Sequence, residues 1–162
     1  MTKLQTAALL IVEDSDEDYA LACWALQQAG FTGAVRRAAS VAEALALLCP
    51  GCAPAPAGPA RQAPAAFDIV LLDLNLPDGT GMDLLSDLRE EYAQRLPLPV
   101  VILTTSNNPR DVAILYRLGV CGYFVKPLDR QGFAAQIRSF VDYWFSAVTL
   151  PPAAHPPETT GR

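Results

Sequence analysis

The sequence predicts a doubly wound α/β domain, a five-stranded parallel sheet covered by five helices. Three observations predict it. Short runs without a polar residue, at 7–12, 69–72 and 100–103, are built from β-branched residues, leucine and alanine. Such runs read as strands buried on both faces. The stretches between them repeat apolar residues at helical spacing. Strand and helix also alternate, and right-handed crossovers then bring every strand's carboxyl end to one edge.

The central strand organises the rest. Its run, Phe67-Asp68-Ile69-Val70-Leu71-Leu72, closes on Asp73 before a Pro77-Asp78-Gly79 turn. An aspartate at the carboxyl end of a central parallel strand lies where open α/β sheets keep their chemistry. The first strand, 7–12, ends in Glu13-Asp14-Ser15. A helix over 16–30 follows: Tyr19, Ala22/Cys23, Leu26 and Ala29 keep its period, Ser15 or Asp14 caps it, and Gly30 stops it. Acidic residues fill its first turn, as the helix dipole favours. A short strand is centred on Val35, with Arg36 and Arg37 at an edge. Ser40-Val41-Ala42-Glu43 has capping-box spacing and opens a helix running to Leu48. Residues 50–66, rich in Pro and Ala, read as an extended, poorly ordered loop inserted before the central strand.

Beyond Asp73, a helix over 81–92 carries Leu84, Leu85 and Leu88. Pro97-Leu98-Pro99 leads into strand 100–103, which finishes in Thr104-Thr105-Ser106. Asn107 or Asn108 caps the next helix with Pro109 behind it, and that helix carries Val112, Leu115 and Leu118 to Gly119. A last short strand, 121–125, is stopped by Lys126-Pro127. The final helix, 129–148, aligns Phe133, Ile137, Phe140/Val141, Trp144 and Val148 on one stripe. Residues 1–6 are expected to be flexible, 7–150 to form the domain, and the Pro-, Ala- and Thr-rich 151–162 to be a disordered tail.

At 162 residues and 51% hydrophobic composition, the chain suffices for one domain with a sizeable core. A formal net charge of −5 argues against nucleic-acid binding, and no helix-turn-helix reader is found in the sequence. The apolar start runs into Glu13 and Asp14 without a cleavage pattern, so it is not read as a signal peptide. The stretch 140–150 is interrupted by Asp142 and falls short of the ~20 residues of a membrane helix. A cytosolic protein is therefore expected. Cys23 and Cys121 read as small core residues. Cys49 and Cys52 have Cys-x-x-Cys spacing, but no second pair closes a zinc site and the motif follows a helix instead of opening one.

The predicted edge collects Glu13, Asp14, Asp73, Thr104 and Lys126 from separate strands. Converging carboxylates repel one another unless a cation holds them, and hard oxygen ligands at an open site suit Mg²⁺. A lysine and a hydroxyl opposite would meet the remaining oxygens of a phosphoryl group. Asp73, at the tip of the central strand, is best placed as nucleophile.

Ile11-Val12-Glu13-Asp14-Ser15, Leu71-Leu72-Asp73-Leu74-Asn75-Leu76-Pro77, Leu103-Thr104-Thr105-Ser106 and Phe124-Val125-Lys126-Pro127 together resemble the receiver domain of two-component response regulators. The resemblance covers about residues 7–148. It implies a flavodoxin-like sheet of order 2-1-3-4-5 and an Asp73 that accepts phosphate from a histidine kinase. It also implies Mg²⁺ held by Glu13, Asp14, Asp73 and the backbone carbonyl of Asn75. Thr104 and Lys126 would bind the phosphoryl group, and the Lys126–Pro127 bond would be cis. Tyr123 matches the family's switch aromatic, with a plain core tyrosine as the rival reading. Asn75, Thr105 and Ser106 would tune dephosphorylation, Thr105 standing where the family usually has a smaller residue. The protein would be a signalling phosphoacceptor that promotes its own Mg²⁺-dependent phosphorylation and dephosphorylation, not an enzyme in the usual sense.

The ending from Phe140 to Pro151 is similar to the single-domain receivers paired with bacterial phytochromes. In that subfamily the last helix helps form a homodimer, which makes Phe140, Tyr143, Trp144 and Phe145 interface candidates. The same aromatics could instead fold back on the domain. Two other functions stay open on the residues alone. A haloacid-dehalogenase-type phosphatase also uses a strand-end Asp, but its general-acid position is Asn75 here and the acidic pair precedes the nucleophile. A phosphorylation-independent adaptor would have a vestigial acidic site, against which the intact Glu13, Asp14, Asp73, Thr104 and Lys126 speak.

Overall fold

Side chains of a strand point alternately to its two faces, and this alternation sorts the apolar runs into two core layers. The computed structural model describes residues 3–48, 67–92 and 98–151. Parallel strands β1 (Ala8–Val12), β2 (Ala34–Ala38), β3 (Ile69–Leu72), β6 (Val100–Thr104) and β7 (Gly122–Val125) form one sheet in the order β2-β1-β3-β6-β7. This is the doubly wound order expected, with β3 at the centre. The register pairs Leu10 with Val70, Val12 with Leu72, Leu72 with Ile102 and Thr104 with Val125.

On one face Leu10, Val12, Val70, Leu72 and Ile102 pack against helices α3 (Val41–Leu48), α4 (Gly81–Tyr92) and α5 (Pro109–Arg117). On the other, Leu9, Ile11, Ile69, Leu71, Val101 and Leu103 pack against α2 (Asp16–Gln28) and α6 (Arg130–Val141). Each fully buried Leu, Ile or Val contributes roughly 1.5–3 kcal/mol, so both layers hold the central strand rigidly.

Caps fix where the helices begin. Ser15 Oγ accepts from Asp18 N, Asn108 Oδ1 from Arg110 N, and Asp129 Oδ1 from Gly132 N. At α3, Ser40 Oγ accepts from Glu43 N while Glu43 reaches back to Ala39 N, one residue earlier than a strict capping box. Asp78 adds a cap from a distant loop, accepting from Val41 N at 2.7 Å and Ala42 N at 2.9 Å. Gly30 and Gly119, at φ of 79° and 83°, end α2 and α5 in the left-handed conformation.

Several expectations are corrected. Residues ahead of β1 are not simply a flexible lead: Lys3–Thr6 form a helical turn, α1, and the Leu4 carbonyl accepts from Thr32 N. Leu4 packs against the core, which gives the turn its anchor. After Asp73 the chain makes a small hairpin, β4 (Asn75–Leu76) with β5 (Gly79–Thr80). The last helix does not run regularly to residue 148; beyond α6 it widens into a π-helical segment, Asp142–Ala147.

Within that segment, Phe145 lies 4.9 Å from Phe31 and 6.0 Å from Phe140, ring centre to ring centre. Phe140 and Phe145 are buried in the domain's own core, so they are not free to form a dimer interface. Tyr143 is exposed and meets the half-buried Trp144 edge-on. Cys121 is exposed and Cys23 only half buried, so the core reading of both is corrected. Cys49, Cys52, the 50–66 loop and the tail beyond Pro151 lie outside the described residues. Among the described residues no helix is long and apolar enough to cross a membrane.

Candidate functional site

Parallel pairing carries the ends of β1, β3, β6 and β7 to one edge of the sheet. There Asp73 N donates to the Val12 carbonyl and Lys126 N to the Thr104 carbonyl, which fixes the backbone on which the site is built. Gly81 opens α4 against this edge; a Cβ there would come within 2.8 Å of the Asp73 carbonyl oxygen. Only glycine lets the helix start so close behind Asp73.

At the centre stands the Lys126 ammonium. Its Nζ lies 2.7 Å from Glu13 Oε2, 2.7 Å from Asp18 Oδ2 and 3.0 Å from Asp73 Oδ2. Glu13 Oε1 accepts from Ser15 N, and Asp73 Oδ1 from Asn75 N at 3.2 Å. Buried charge is tolerated only when paired in this way. Burial pushes Glu13 up to about 7, although Lys126 and the Ser15 amide pull in the opposite direction. Burial alone would lower Lys126, but its bonds to Asp18, Glu13 and Asp73 overcome this and hold it above its usual value. The lysine therefore stays charged across the physiological range.

The oxygens of Glu13, Asp18 and Asp73 lie within 4.8 Å of one another, close enough to share one cation. All are hard carboxylate donors, and the spot they enclose already holds positive charge in the form of Lys126. This donor set fits a divalent cation.

The sequence-predicted residues fare differently. Glu13, Asp73 and Lys126 come together as expected. Thr104 is fully buried at the tip of β6, its Oγ1 3.4 Å from the donating Ser106 N. Tyr123 is half buried, packs against one core layer, and its hydroxyl donates to the Ser106 carbonyl at 2.8 Å. Burial raises Tyr123 above its ordinary value. Asp14 and Asn75 are exposed, and Asp14 is not one of the three clustered carboxylates. Thr105 is exposed as well.

The Lys126–Pro127 bond is trans, since no cis peptide occurs among the described residues. That overturns the cis expectation. The two isomers of an X–Pro bond differ intrinsically by only about 0.5–1 kcal/mol, and local sequence does not choose between them.

Two contributors escaped the sequence reading. The sequence pattern marks Asp18 only as one of several acids in the first turn of α2, favoured by the helix dipole, and Arg37 only as an edge residue. In the structure Arg37 donates to the Glu13 carbonyl from Nε at 2.9 Å and to the Asp14 carbonyl from Nη2 at 2.8 Å. Its Nη1 donates to Asp16 at 2.6 Å, and its guanidinium lies 4.9 Å from the centre of the Tyr19 ring. The fork thus clamps the backbone of the acidic pair from the neighbouring strand. A signal existed in each case: Asp18 lies one helical turn beyond Asp14, and Arg37 lies at the carboxyl end of its strand.

The response regulator receiver domain pattern matches residues 9–138. Response regulator Rcp1 of Synechocystis sp. is 35% identical over 86 residues, 53% of this chain and 58% of Rcp1. The chain thus spans a little over half the length of that curated relative. The probable methanogenesis regulatory protein FilR2 of Methanothrix harundinacea is 32% identical across 84% of this chain and 82% of its own. Among solved structures, the phosphorylated cyanobacterial phytochrome response regulator RcpA superposes with a TM-score of 0.74 at 29% identity, covering 90% of this chain and 99% of that one. The Mn²⁺-bound form of Rcp1 gives 0.71 at 28% identity, covering 90% and 99%. The chain is therefore related to phytochrome response regulators. Since the matched span runs from β1 through most of α6 and takes in the acidic pocket, Thr104, Tyr123 and Lys126, the chain belongs to the response regulator receiver domain family of two-component signalling modules.

Proposed function

We propose that Asp73 is the phosphoacceptor of a response regulator served by a sensor histidine kinase of the phytochrome type. The observation that carries this is the Asp73 carboxylate at the tip of the central strand, 3.0 Å from the Lys126 ammonium and beside Glu13. In the reaction an Asp73 oxygen attacks the phosphorus of a phosphohistidine. An O–P bond forms, the P–N bond breaks, and the imidazole leaves with its electron pair and takes up a proton. Glu13, Asp73, Asp14 and the Asn75 carbonyl would hold Mg²⁺, which when bound neutralises charge on the phosphoryl oxygens.

Lys126 meets one of those oxygens as a buried cation, and the Thr104 hydroxyl meets another. Preorganised donors of this kind act strongly because they are already in place when charge develops on the phosphoryl group. Water attack on the acyl phosphate reverses the state, and Asn75, Thr105 and Ser106 line its approach and set its rate.

The likeness to the cyanobacterial phytochrome response regulator RcpA supports the phytochrome pairing. Phosphorylation biases an equilibrium in which Thr104 moves towards the phosphoryl group and Tyr123 follows. The protein acts in the cytoplasm as a homodimer that uses exposed Tyr143 and the neighbouring Trp144.

Labelling tests the chemistry. With Mg²⁺ and acetyl phosphate, intact-mass measurement should show one added phosphoryl on the wild type and none on Asp73→Asn; equal labelling of both overturns the assignment. Light scattering tests the dimer, which should lose mass when Tyr143→Ala and Trp144→Ala are combined.

A further inference from the structure

Lys126 is fully committed in this structure. An ammonium has three N–H donors, and Glu13, Asp18 and Asp73 take one each. A phosphoryl group arriving on Asp73 can be gripped by Lys126 only if one of these bonds is released. The three partners are not equally easy to release. The Glu13 and Asp73 side chains are 6% and 9% exposed, whereas that of Asp18 is 42% exposed. A carboxylate at the surface regains water when it lets go, and a buried one does not. Asp18 is also anchored differently, on the first turn of α2 and not at a strand end.

We infer that Asp18 is a latch on Lys126, a positioning residue that competes with the phosphoryl group for the ammonium and so lowers the affinity of the site for that group. The inference rests on the phosphoacceptor reading and deepens it. With Asp18 engaged, the lysine points to the acidic pocket and the unphosphorylated state is favoured. With Asp18 swung into solvent, one N–H is freed for a phosphoryl oxygen. The latch thus makes phosphorylation more readily reversible without touching the phosphoryl group.

The test is calorimetric titration of the full chain with beryllofluoride at saturating Mg²⁺, comparing wild type, Asp18→Asn and Asp18→Ala. A half-exposed ion pair is worth up to about 1 kcal/mol, which is roughly a fivefold change in affinity. Both variants should bind beryllofluoride about that much more tightly. Repeating Asp18→Asn in a Lys126→Gln background separates a latch from a general charge effect: the gain should vanish there. Unchanged affinity, or a gain that survives in full without the lysine, overturns the latch. Weaker binding in both variants also overturns it and makes Asp18 a ligand of the cation. If the wild type itself takes up no beryllofluoride, the phosphoacceptor reading fails and the latch falls with it.

Discussion

The two halves of the strand-end edge are built in different ways. The acidic half, formed by the ends of β1, β2 and β3, is held by short charged bonds. Arg37 and Lys126 reach their partners at 2.6 to 3.0 Å. The other half, from β6 and the loop after it, is held loosely. Ser106 N to Thr104 Oγ1, Ser106 Oγ to Asp111 and Asn108 N to Ser106 Oγ all measure 3.4 Å. The Tyr123 hydroxyl makes a shorter bond there, at 2.8 Å to the Ser106 carbonyl. Short charge-assisted bonds fix a geometry, and long ones leave it cheap to change. On the proposed function, the contrast suits a site whose metal- and phosphate-receiving groups are ready in advance while its reporting loop moves.

The most severe way to break the rigid half is to remove its central cation. Lys126→Ala should slow labelling by acetyl phosphate about a hundredfold or more, since a single preorganised donor to developing charge is worth that much. A mass-spectrometric time course reads it. Arg37→Ala should disturb the acidic pair without removing a ligand, lowering Mg²⁺ affinity about tenfold, as loss of a supporting partner usually does. Excess Mg²⁺ should then restore labelling, and a loss that no Mg²⁺ concentration repairs would show that Arg37 acts otherwise.

Acidity tests the same half without mutation. Because burial raises Glu13 to about 7, it is largely protonated at pH 6 and ionised at pH 8. Cation binding needs the ionised form, so Mg²⁺ affinity should rise about tenfold across that interval. The sign for stability is the reverse. A carboxyl whose folded value lies above its ordinary 4.5 stabilises the metal-free protein below that value and loses this contribution as pH rises through about 7. Flat Mg²⁺ affinity from pH 6 to 8 would mean that Lys126 keeps Glu13 ionised throughout.

The loose half should respond least. Tyr123→Phe removes one hydrogen bond and should cost about 1 kcal/mol of stability or less, with labelling unchanged. NMR relaxation dispersion should show faster or wider motion at Thr104, Thr105 and Ser106. If the variant instead abolishes labelling, the division between a fixed and a movable half is wrong.

Much of this was legible in the chain. The unbroken apolar runs at 7–12, 69–72 and 100–103 marked strands buried on both faces, because a parallel strand enclosed on both sides has little freedom to be polar. Asp73, Glu13, Thr104 and Lys126 were legible because each directly follows or ends such a strand, and topology alone brings strand ends together. The aromatic ending was ambiguous. Phe140 and Phe145 have the composition of an interface, yet the last helix widens into a π turn and both are buried, Phe145 packing against Phe31 and Phe140. Helical periodicity cannot reveal that departure, because it assumes the regular 3.6-residue turn.

The sequence by itself determined a parallel sheet wrapped on both faces and the residues at its strand ends, since these follow from local periodicity and general rules of chain connection, while the order of the strands came from the resemblance of four motifs to receiver domains. Only the tertiary structure decided which side chains from separate elements meet. It brought Asp18 of α2 to Lys126 of the loop after β7, set Arg37 of β2 against the Glu13 and Asp14 carbonyls, and left Lys126–Pro127 trans. Such choices depend on distances between residues far apart in the chain, and charge–charge and hydrogen-bond energies fall off too steeply with distance to be read from order alone.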